Sequence, residues 1–535
     1  MTSTALTVSG LEVATHSGAP ILHGVSYEIA PGEVVALVGE SGSGKTTAGL
    51  AALGHFRAGL HSTGGTVTVH PRAGEPAEML ALTERQRRAL RGSTVAYIPQ
   101  DPAQSLNPGL RIGTQIAEVL EMHGDYATED RRAARVREVL DEVGLPSAEE
   151  YRRRYPHQLS GGQQQRVGIA MAFACLPSVV VLDEPTTGLD VTTQALILDT
   201  VRRLTADHAT AALYITHDLA VVATIADRVA VMLRGCVVET GEVGQVLGEP
   251  RHDYTRTLIE AVPDLAGKRS KLTVTRPADN EAQDPGPALL TVRDVELSYA
   301  DKNVLNGVSV SVAAGESLML LGESGSGKTT LSRCVCGLVE HYSGSVRFDG
   351  EALSPSTRHR TNEQRRGVQY VFQSPFSSLN PRKTIAQSLE VPLVRLTGLS
   401  RTQRRARIAE VLDAVRFSSA IANRFPEQLS GGERQRAAIA RALVTTPKVL
   451  VCDEVTSALD VSVQRTITDL LAELRTELDM AMLFVTHNIA LARHVADRVA
   501  VLRGGTIVEE GTVDDVLDRP QHDYTRELLA NTPEL

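Results

Sequence analysis

Runs of four or five mostly apolar residues punctuate the chain at 34–38, 179–182, 211–215, 317–321, 449–452 and 482–485, and each gives way to polar or glycine-rich residues. Short runs without alternation are how strands buried on both faces read, the mark of a parallel sheet. Segments with helical periodicity, such as 132–143, lie between them. Strand and helix patterns in alternation predict an α/β core.

The pattern is written twice. Gly-Glu-Ser-Gly-Ser-Gly-Lys-Thr-Thr occupies 39–47 and again 322–330, an offset of 283. Leu-Ser-Gly-Gly recurs at Leu159 and Leu429, Asp-Glu at Asp183 and Asp453, Thr-His at His217 and His487, and His-Asp-Tyr-Thr at His252 and His522, all at an offset of 270. The chain therefore reads as a tandem duplication. Gln100 and Gln373 stand 273 apart, so ten of the thirteen surplus residues of the first half precede the glutamine, and the loop around 70–78 is expected to hold them. Residues 263–288, with four prolines and little apolar periodicity, are expected to form an extended connector between domains over 1–262 and 289–535.

Composition narrows the field. A chain of 535 residues carries 55 Lys and Arg against 64 Asp and Glu, a formal charge of −9, which argues against a nucleic-acid coat. Aromatic residues are 4% and Trp is absent, leaving little for base stacking. No apolar run approaches the ~18–20 residues that cross a bilayer, and no secretory signal is visible at the start, so a soluble chain is expected. Five cysteines without a spaced pair fit a reducing compartment. The arginine-rich stretches 85–91, 131–137 and 401–407 read as solvated helix faces.

The repeated motifs carry the chemistry. Gly-x4-Gly-Lys-Thr after an apolar strand and before a helix is a phosphate-binding loop, or P-loop. Its glycines let backbone N–H groups approach phosphates, Lys45 or Lys328 reaches the β and γ phosphates, and Thr46 or Thr329 ligates Mg²⁺. An Asp-Glu pair ending a buried strand reads as a solvated turn when it stands by itself. After a P-loop, twice, the pair calls for a cation and a proton to transfer. Asp183 and Asp453 hold Mg²⁺ through water, and Glu184 and Glu454 act as general bases. His217 and His487, each 34 residues past its Asp, are placed to sense the γ-phosphate and orient water. Gln100 and Gln373, after further strands, can touch metal and water. Ser160 and Ser430 open helices as N-caps, where glycines make a second anion site in a domain with one P-loop. Such a site would serve a nucleotide held by another domain.

In this order, and in both halves, these motifs resemble the ATP-binding-cassette (ABC) ATPases. The resemblance covers nearly the whole chain outside the connector. It implies two tandem P-loop NTPase cassettes, each with a RecA-like core, an antiparallel β subdomain and an α-helical subdomain. It also implies ATP and Mg²⁺ as ligands and a head-to-tail sandwich of cassettes. One site would combine Gly39, Ser41, Gly42, Gly44, Lys45, Thr46, Thr47, Gln100, Asp183, Glu184 and His217 with Ser430 and Gly432. The other would combine Gly322, Ser324, Gly325, Gly327, Lys328, Thr329, Thr330, Gln373, Asp453, Glu454 and His487 with Ser160 and Gly162. The adenine-stacking aromatic of that family aligns with Tyr299 in the second half and His16 in the first.

Finer features are similar to the peptide and nickel importer branch: Gln100-Asp101-Pro102 with Ser105-Leu106-Asn107-Pro108, Gln373-Ser374-Pro375 with Ser378-Leu379-Asn380-Pro381, and the terminal His-Asp-Tyr-Thr segments. No cysteine follows Cys452, so no iron–sulfur cluster is expected. The expectation is the ATPase subunit of a di- or oligopeptide importer at the cytoplasmic face of the membrane. Its partners would be two transmembrane permeases and, indirectly, an extracytoplasmic binding protein; it would touch the membrane only through the permeases and bind no nucleic acid. Nickel, glutathione or a peptide antibiotic are other cargoes. The rival is a tandem ABC ATPase acting on ribosomes or nucleic acid, which the short Pro-rich connector and the negative charge disfavour.

Overall fold

The computed structural model describes residues 4–101, 105–123, 126, 128–263, 265, 288–299, 302–457 and 459–535. The expected connector lies outside the described residues except for Pro263, Leu265 and Ala288, as do Pro102 of the first glutamine motif and Ala458 of the loop after Glu454. The chain divides into two compact units, one built from Met1–Leu189 with Thr193–Val262 and the other from Pro263–Thr532.

In the first unit β1 (Leu6–Thr15), β2 (Pro20–Ile29), β4 (Leu60–Val69) and β5 (Ala77–Glu78) form an antiparallel sheet in the order β2-β1-β4-β5. The six-stranded sheet runs β10-β9-β3-β8-β7-β6 through β3 (Val34–Val38), β6 (Val95–Ile98), β7 (Val179–Asp183), β8 (Ala211–Thr216), β9 (Arg228–Leu233) and β10 (Cys236–Glu242). Only the β9–β10 pairing in it is antiparallel. Consecutive residues of β7 serve opposite faces. Val179 and Val181 pack with the antiparallel sheet, whereas Val180 and Leu182 pack with helices Ile112–Met122, Glu129–Glu142 and Gly161–Phe173. A strand covered on both sides has no polar face, which is why its sequence does not alternate.

The second unit repeats this. β11 (Ala288–Tyr299), β12 (Lys302–Ala313), β14 (Ser343–Phe348) and β15 (Glu351–Ala352) make the antiparallel sheet. β13 (Ser317–Leu321), β16 (Val368–Val371), β17 (Val449–Asp453), β18 (Ala481–Val485), β19 (Arg498–Arg503) and β20 (Thr506–Thr512) make the core sheet in the equivalent order. Helices Ile385–Leu396, Arg401–Ala414 and Gly431–Leu443 cover one face.

The surplus of the first half is divided, contrary to the single loop expected. The offset is 283 at Gly54 and Gly337, 279 at the bulge glycines Gly65 and Gly344, and 274 at Ala77 and Glu351. Four residues thus lengthen the stretch leading into β4, which pairs back as far as Thr15, and five lie in the connection 70–76. Arg72 of that connection donates to the Pro177 carbonyl at 3.2 Å, to Thr210 Oγ1 at 3.1 Å and to the His208 carbonyl, which docks the insertion on the core.

The arginine-rich stretches are not uniformly solvated, and this corrects the sequence reading. Arg135 is 4% exposed and donates to the Phe173 and Ala174 carbonyls at 3.1 and 3.0 Å, paired with Glu142 at 2.7 Å. Arg407 does the same to Leu443 and Val444, each at 3.1 Å. A guanidinium meets the otherwise unsatisfied last carbonyls of a helix, so burial follows from hydrogen bonding that composition cannot reveal.

Candidate functional site

Parallel strands bring their C-terminal ends to one edge of a sheet, and the order β3-β8-β7-β6 sets four motifs side by side there. β3 delivers the P-loop, β8 delivers His217, β7 delivers Asp183 and Glu184, and β6 delivers Gln100. The second core sheet does the same with its own P-loop, His487, Asp453 with Glu454, and Gln373.

Each P-loop wraps against its own lysine. Lys45 Nζ donates to the Gly39 and Glu40 carbonyls at 2.7 and 2.9 Å, and Lys328 Nζ to Gly322 and Glu323 at 2.6 and 2.7 Å. Gly44 and Gly327, with φ of 100° and 109°, are left-handed N-caps of the helices that begin at these lysines. A Cβ on Gly39 or Gly322 would lie 2.2 Å from the Met232 or Leu502 carbonyl, so backbone crowding as well as conformation requires glycine there. Ser41, Gly42, Ser324 and Gly325 form the exposed tips, and Thr47 and Thr330 sit in the first helical turn.

Behind the loop, Thr46 Oγ1 donates to Asp183 Oδ1 at 3.1 Å, and Thr329 Oγ1 to Asp453 Oδ1 at 2.9 Å. The other carboxylate oxygen accepts from Tyr97 at 2.9 Å in the first unit and from Tyr370 in the second. These tyrosines were not among the residues read from the sequence. Their strand positions, three before each glutamine, were the available signal. Burial raises the pKa of both aspartates above the usual carboxylate range, against the hydrogen bonds from tyrosine and threonine.

The glutamates behave oppositely. Burial would raise them, but the hydrogen bond and charge of the neighbouring histidine outweigh it and hold Glu184 and Glu454 below the usual range. His217 Nδ1 lies 3.0 Å from Glu184 Oε1, and His487 Nδ1 lies 3.5 Å from Glu454 Oε1. Gln100 Nε2 donates to Glu184 Oε2 at 2.9 Å and Gln373 Nε2 to Glu454 Oε2 at 2.6 Å; Thr187 adds a 3.1 Å contact to Glu184. Both glutamates have φ of 48°, a left-handed backbone uncommon for a side chain of this size and concentrated at functional sites.

Ser160 and Ser430 begin the helices Gly161–Phe173 and Gly431–Leu443 and are engaged in capping boxes with Gln163 and Glu433. Gly162 and Gly432 leave no room for a Cβ, which would meet Thr193 Cγ2 at 2.3 Å or Val463 Cγ1 at 2.5 Å. Tyr299 ends β11 and is 55% exposed. His16 is exposed in the hairpin after β1 and stacks on His61 with ring centroids 5.3 Å apart. The first hairpin is one residue longer than the second, so by strand register from β1 it is Thr15 that stands at the position of Tyr299.

The sequence pattern of the ABC transporter family matches residues 22–187 and 305–457. The chain belongs to the ABC transporter family. It is an ABC ATPase, and its hydrolysis of ATP is coupled to transport. A second pattern, the C-terminal region of oligopeptide/dipeptide transporters, matches 238–286 and 508–535 of the ABC ATPase. The glutathione import ATP-binding protein of Salmonella choleraesuis (strain SC-B67) is 40% identical over 558 aligned residues, covering 99% of this chain and 89% of its own length. That of Pectobacterium atrosepticum is 41% identical over 539, covering 95% and 86%. Among solved structures, cbiO1 of Clostridium perfringens is similar with a TM-score of 0.40 and 28% identity, over 43% of this chain and 91% of that one.

Proposed function

We propose that the chain is the peripheral ATPase of a peptide importer at the cytoplasmic face of the membrane, joined to two transmembrane permeases that an extracytoplasmic binding protein supplies. The observation that carries this reading is the duplicated, complete cluster of lysine, threonine, aspartate, glutamate, glutamine and histidine, in a chain whose segments 238–286 and 508–535 match the C-terminal region of oligopeptide/dipeptide transporters. No described helix is long and apolar enough to cross a membrane, so permeases would be separate chains. The cargo is a di- or oligopeptide, with glutathione, itself a tripeptide, named for its relatives.

The domains are 1–262 and 289–535, joined by 263–288 and closing head to tail over two ATP molecules. Lys45 and Lys328 turn from their backbone carbonyls to the β and γ phosphates. The paired oxygens of Thr46 with Asp183, and of Thr329 with Asp453, fit a hard cation that shares its shell with phosphate and water, as Mg²⁺ does. Mg²⁺, when bound, would neutralise charge on the phosphate oxygens, and Gln100 and Gln373 would be further ligands to it. Glu184 and Glu454, ionised at neutral pH, accept the proton of the water that attacks the γ-phosphorus, a role worth about 10²–10⁴ in rate. His217 and His487 hold those carboxylates in place. Ser430 with Gly432, and Ser160 with Gly162, complete the sites from the opposite cassette; Tyr299 lies against adenine in one site, and His16, one residue past the matching register position, does so in the other. Closing a sandwich from 1:99 to 99:1 takes about 5.5 kcal/mol of differential binding.

Affinity purification of the tagged chain from detergent-solubilised membranes tests this. Two polytopic proteins at one copy each are expected, and cells carrying Glu184→Gln with Glu454→Gln should lose uptake of labelled dipeptide or glutathione. Recovery with ribosomal proteins and no permease would overturn it.

A further inference from the structure

The chemistry above leaves the terminal His-Asp-Tyr-Thr segments without a role, although they occur in both units. The structure ties each to a P-loop in its own unit. Tyr254 Oη accepts the backbone N–H of Glu40 at 3.1 Å, and Tyr524 Oη that of Glu323 at 3.0 Å. These are the second residues of the two P-loops, and their carbonyls, with those of Gly39 and Gly322, accept from Lys45 and Lys328. One P-loop residue is thus held at its N–H by tyrosine and at its C=O by the phosphate-binding lysine.

The tyrosines arrive on a rigid mount. Glu239 in the last strand of the core sheet accepts the N–H groups of Arg251 and His252 at 2.8 and 3.0 Å, and Glu509 those of Gln521 and His522 at 2.7 and 3.1 Å. His252 and His522 then cap their own helices, each Nδ1 accepting the tyrosine N–H at 3.1 Å. Tyr524 is 1% exposed, with the Arg503 guanidinium 4.6 Å from its ring centroid. The motif therefore spells out a clamp: His caps, Tyr reaches the P-loop, and a glutamate from β10 or β20 fixes the turn before them.

We propose that Tyr254 and Tyr524 are positioning residues that preorganise the P-loops for nucleotide and couple the C-terminal helices Asp253–Ala261 and Asp523–Ala530 to site occupancy. When lysine turns to phosphate it leaves the Glu40 or Glu323 carbonyl, and the tyrosine contact still holds that residue. A contact that bears on nucleotide affinity acts in reverse as well, so occupancy steadies the helix. This rests on the P-loops being the nucleotide sites.

The test uses the full chain with Tyr254→Phe and Tyr524→Phe, which keep the ring and remove one oxygen. Fluorescent mant-ATP binding, ATPase KM and kcat, and hydrogen exchange of 253–261 and 523–530 with and without ADP are read together. Loss of one neutral hydrogen bond predicts binding about three- to tenfold weaker at the altered site, with KM raised and kcat within about twofold. It also predicts loss of the ADP-induced protection of the matching helix. Unchanged affinity and protection, or a lowered melting temperature with KM unaltered, would overturn the proposal. Lys45→Ala and Lys328→Ala separate the two readings. If they abolish binding while the phenylalanine variants bind as the parent does, the tyrosine proposal fails and the site reading stands; lysine variants that bind normally sink the site reading and the tyrosine proposal with it.

Discussion

At the scale of single residues, adjacent carboxylates in each site are pushed in opposite directions by their surroundings. Asp183 is 5% exposed and raised by burial, so its charge costs stability at neutral pH, and that cost fades as pH falls through its raised pKa towards the unfolded value. Asp183→Asn should therefore abolish turnover at the first site while raising its melting temperature at pH 7–8. The rise should shrink on acidification in a calorimetric scan. Glu184 has the opposite sign. Its depressed pKa gives stability that is present above the unfolded pKa and lost as pH falls through the folded one. The acid limb of kcat/KM, which reports the free enzyme, should accordingly lie below the ordinary glutamate range. His217→Gln with His487→Gln removes the groups that oppose burial, so the limb should move to higher pH in a pH–rate profile; an unmoved limb would contradict the assignment of Glu184 and Glu454 as bases.

Among the secondary-structure elements, the helices Gly161–Phe173 and Gly431–Leu443 are fixed at both ends. Ser160 and Ser430 cap their starts, and Arg135 and Arg407 close their final carbonyls from a neighbouring helix. The arginines therefore join two helices of each helical layer, and the serine that faces nucleotide in the proposed sandwich is carried on a doubly anchored rod. Arg135→Ala strips two helix carbonyls and the partly buried Glu142 of their partner. Chemical denaturation should show the first unit destabilised by about 1.5–3 kcal/mol, with the second unit unchanged. An equal loss from Arg131→Ala, on the same helix, would mean that general charge and not this cap is responsible. The helix Glu129–Glu142 was legible from apolar spacing, but the buried role of Arg135 was not, because the carbonyls it meets belong to residues 38 and 39 positions away.

For the molecule as a whole, the proposed composite sites make a prediction that neither cassette makes in isolation. Ser430→Arg lies in the second cassette's sequence, yet it should stop hydrolysis at the site of Lys45 and leave that of Lys328 competent. Vanadate trapping of a photoreactive ATP analogue, followed by cleavage in the connector, should then label only the second cassette; loss of label from that cassette instead would favour sites built within one cassette. Ser160→Arg should give the mirror result.

The sequence by itself determined the duplication, the α/β class and most of each site. Parallel strands deliver whatever follows them to one edge, so residues one step past an apolar run are neighbours in space however far apart they stand in the chain. Gln100, Asp183, Glu184 and His217 were legible for that reason. Tertiary structure alone decided the contacts made by side chains reaching across elements. Tyr97 finds Asp183 across 86 residues and Tyr254 finds the P-loop across 214, and Arg72 seats an insertion whose place in the chain spacing had only partly revealed. Motif spacing records the path of the backbone, whereas a hydroxyl or guanidinium goes where packing leaves an unsatisfied donor or acceptor, and that is settled only once the layers have closed on one another.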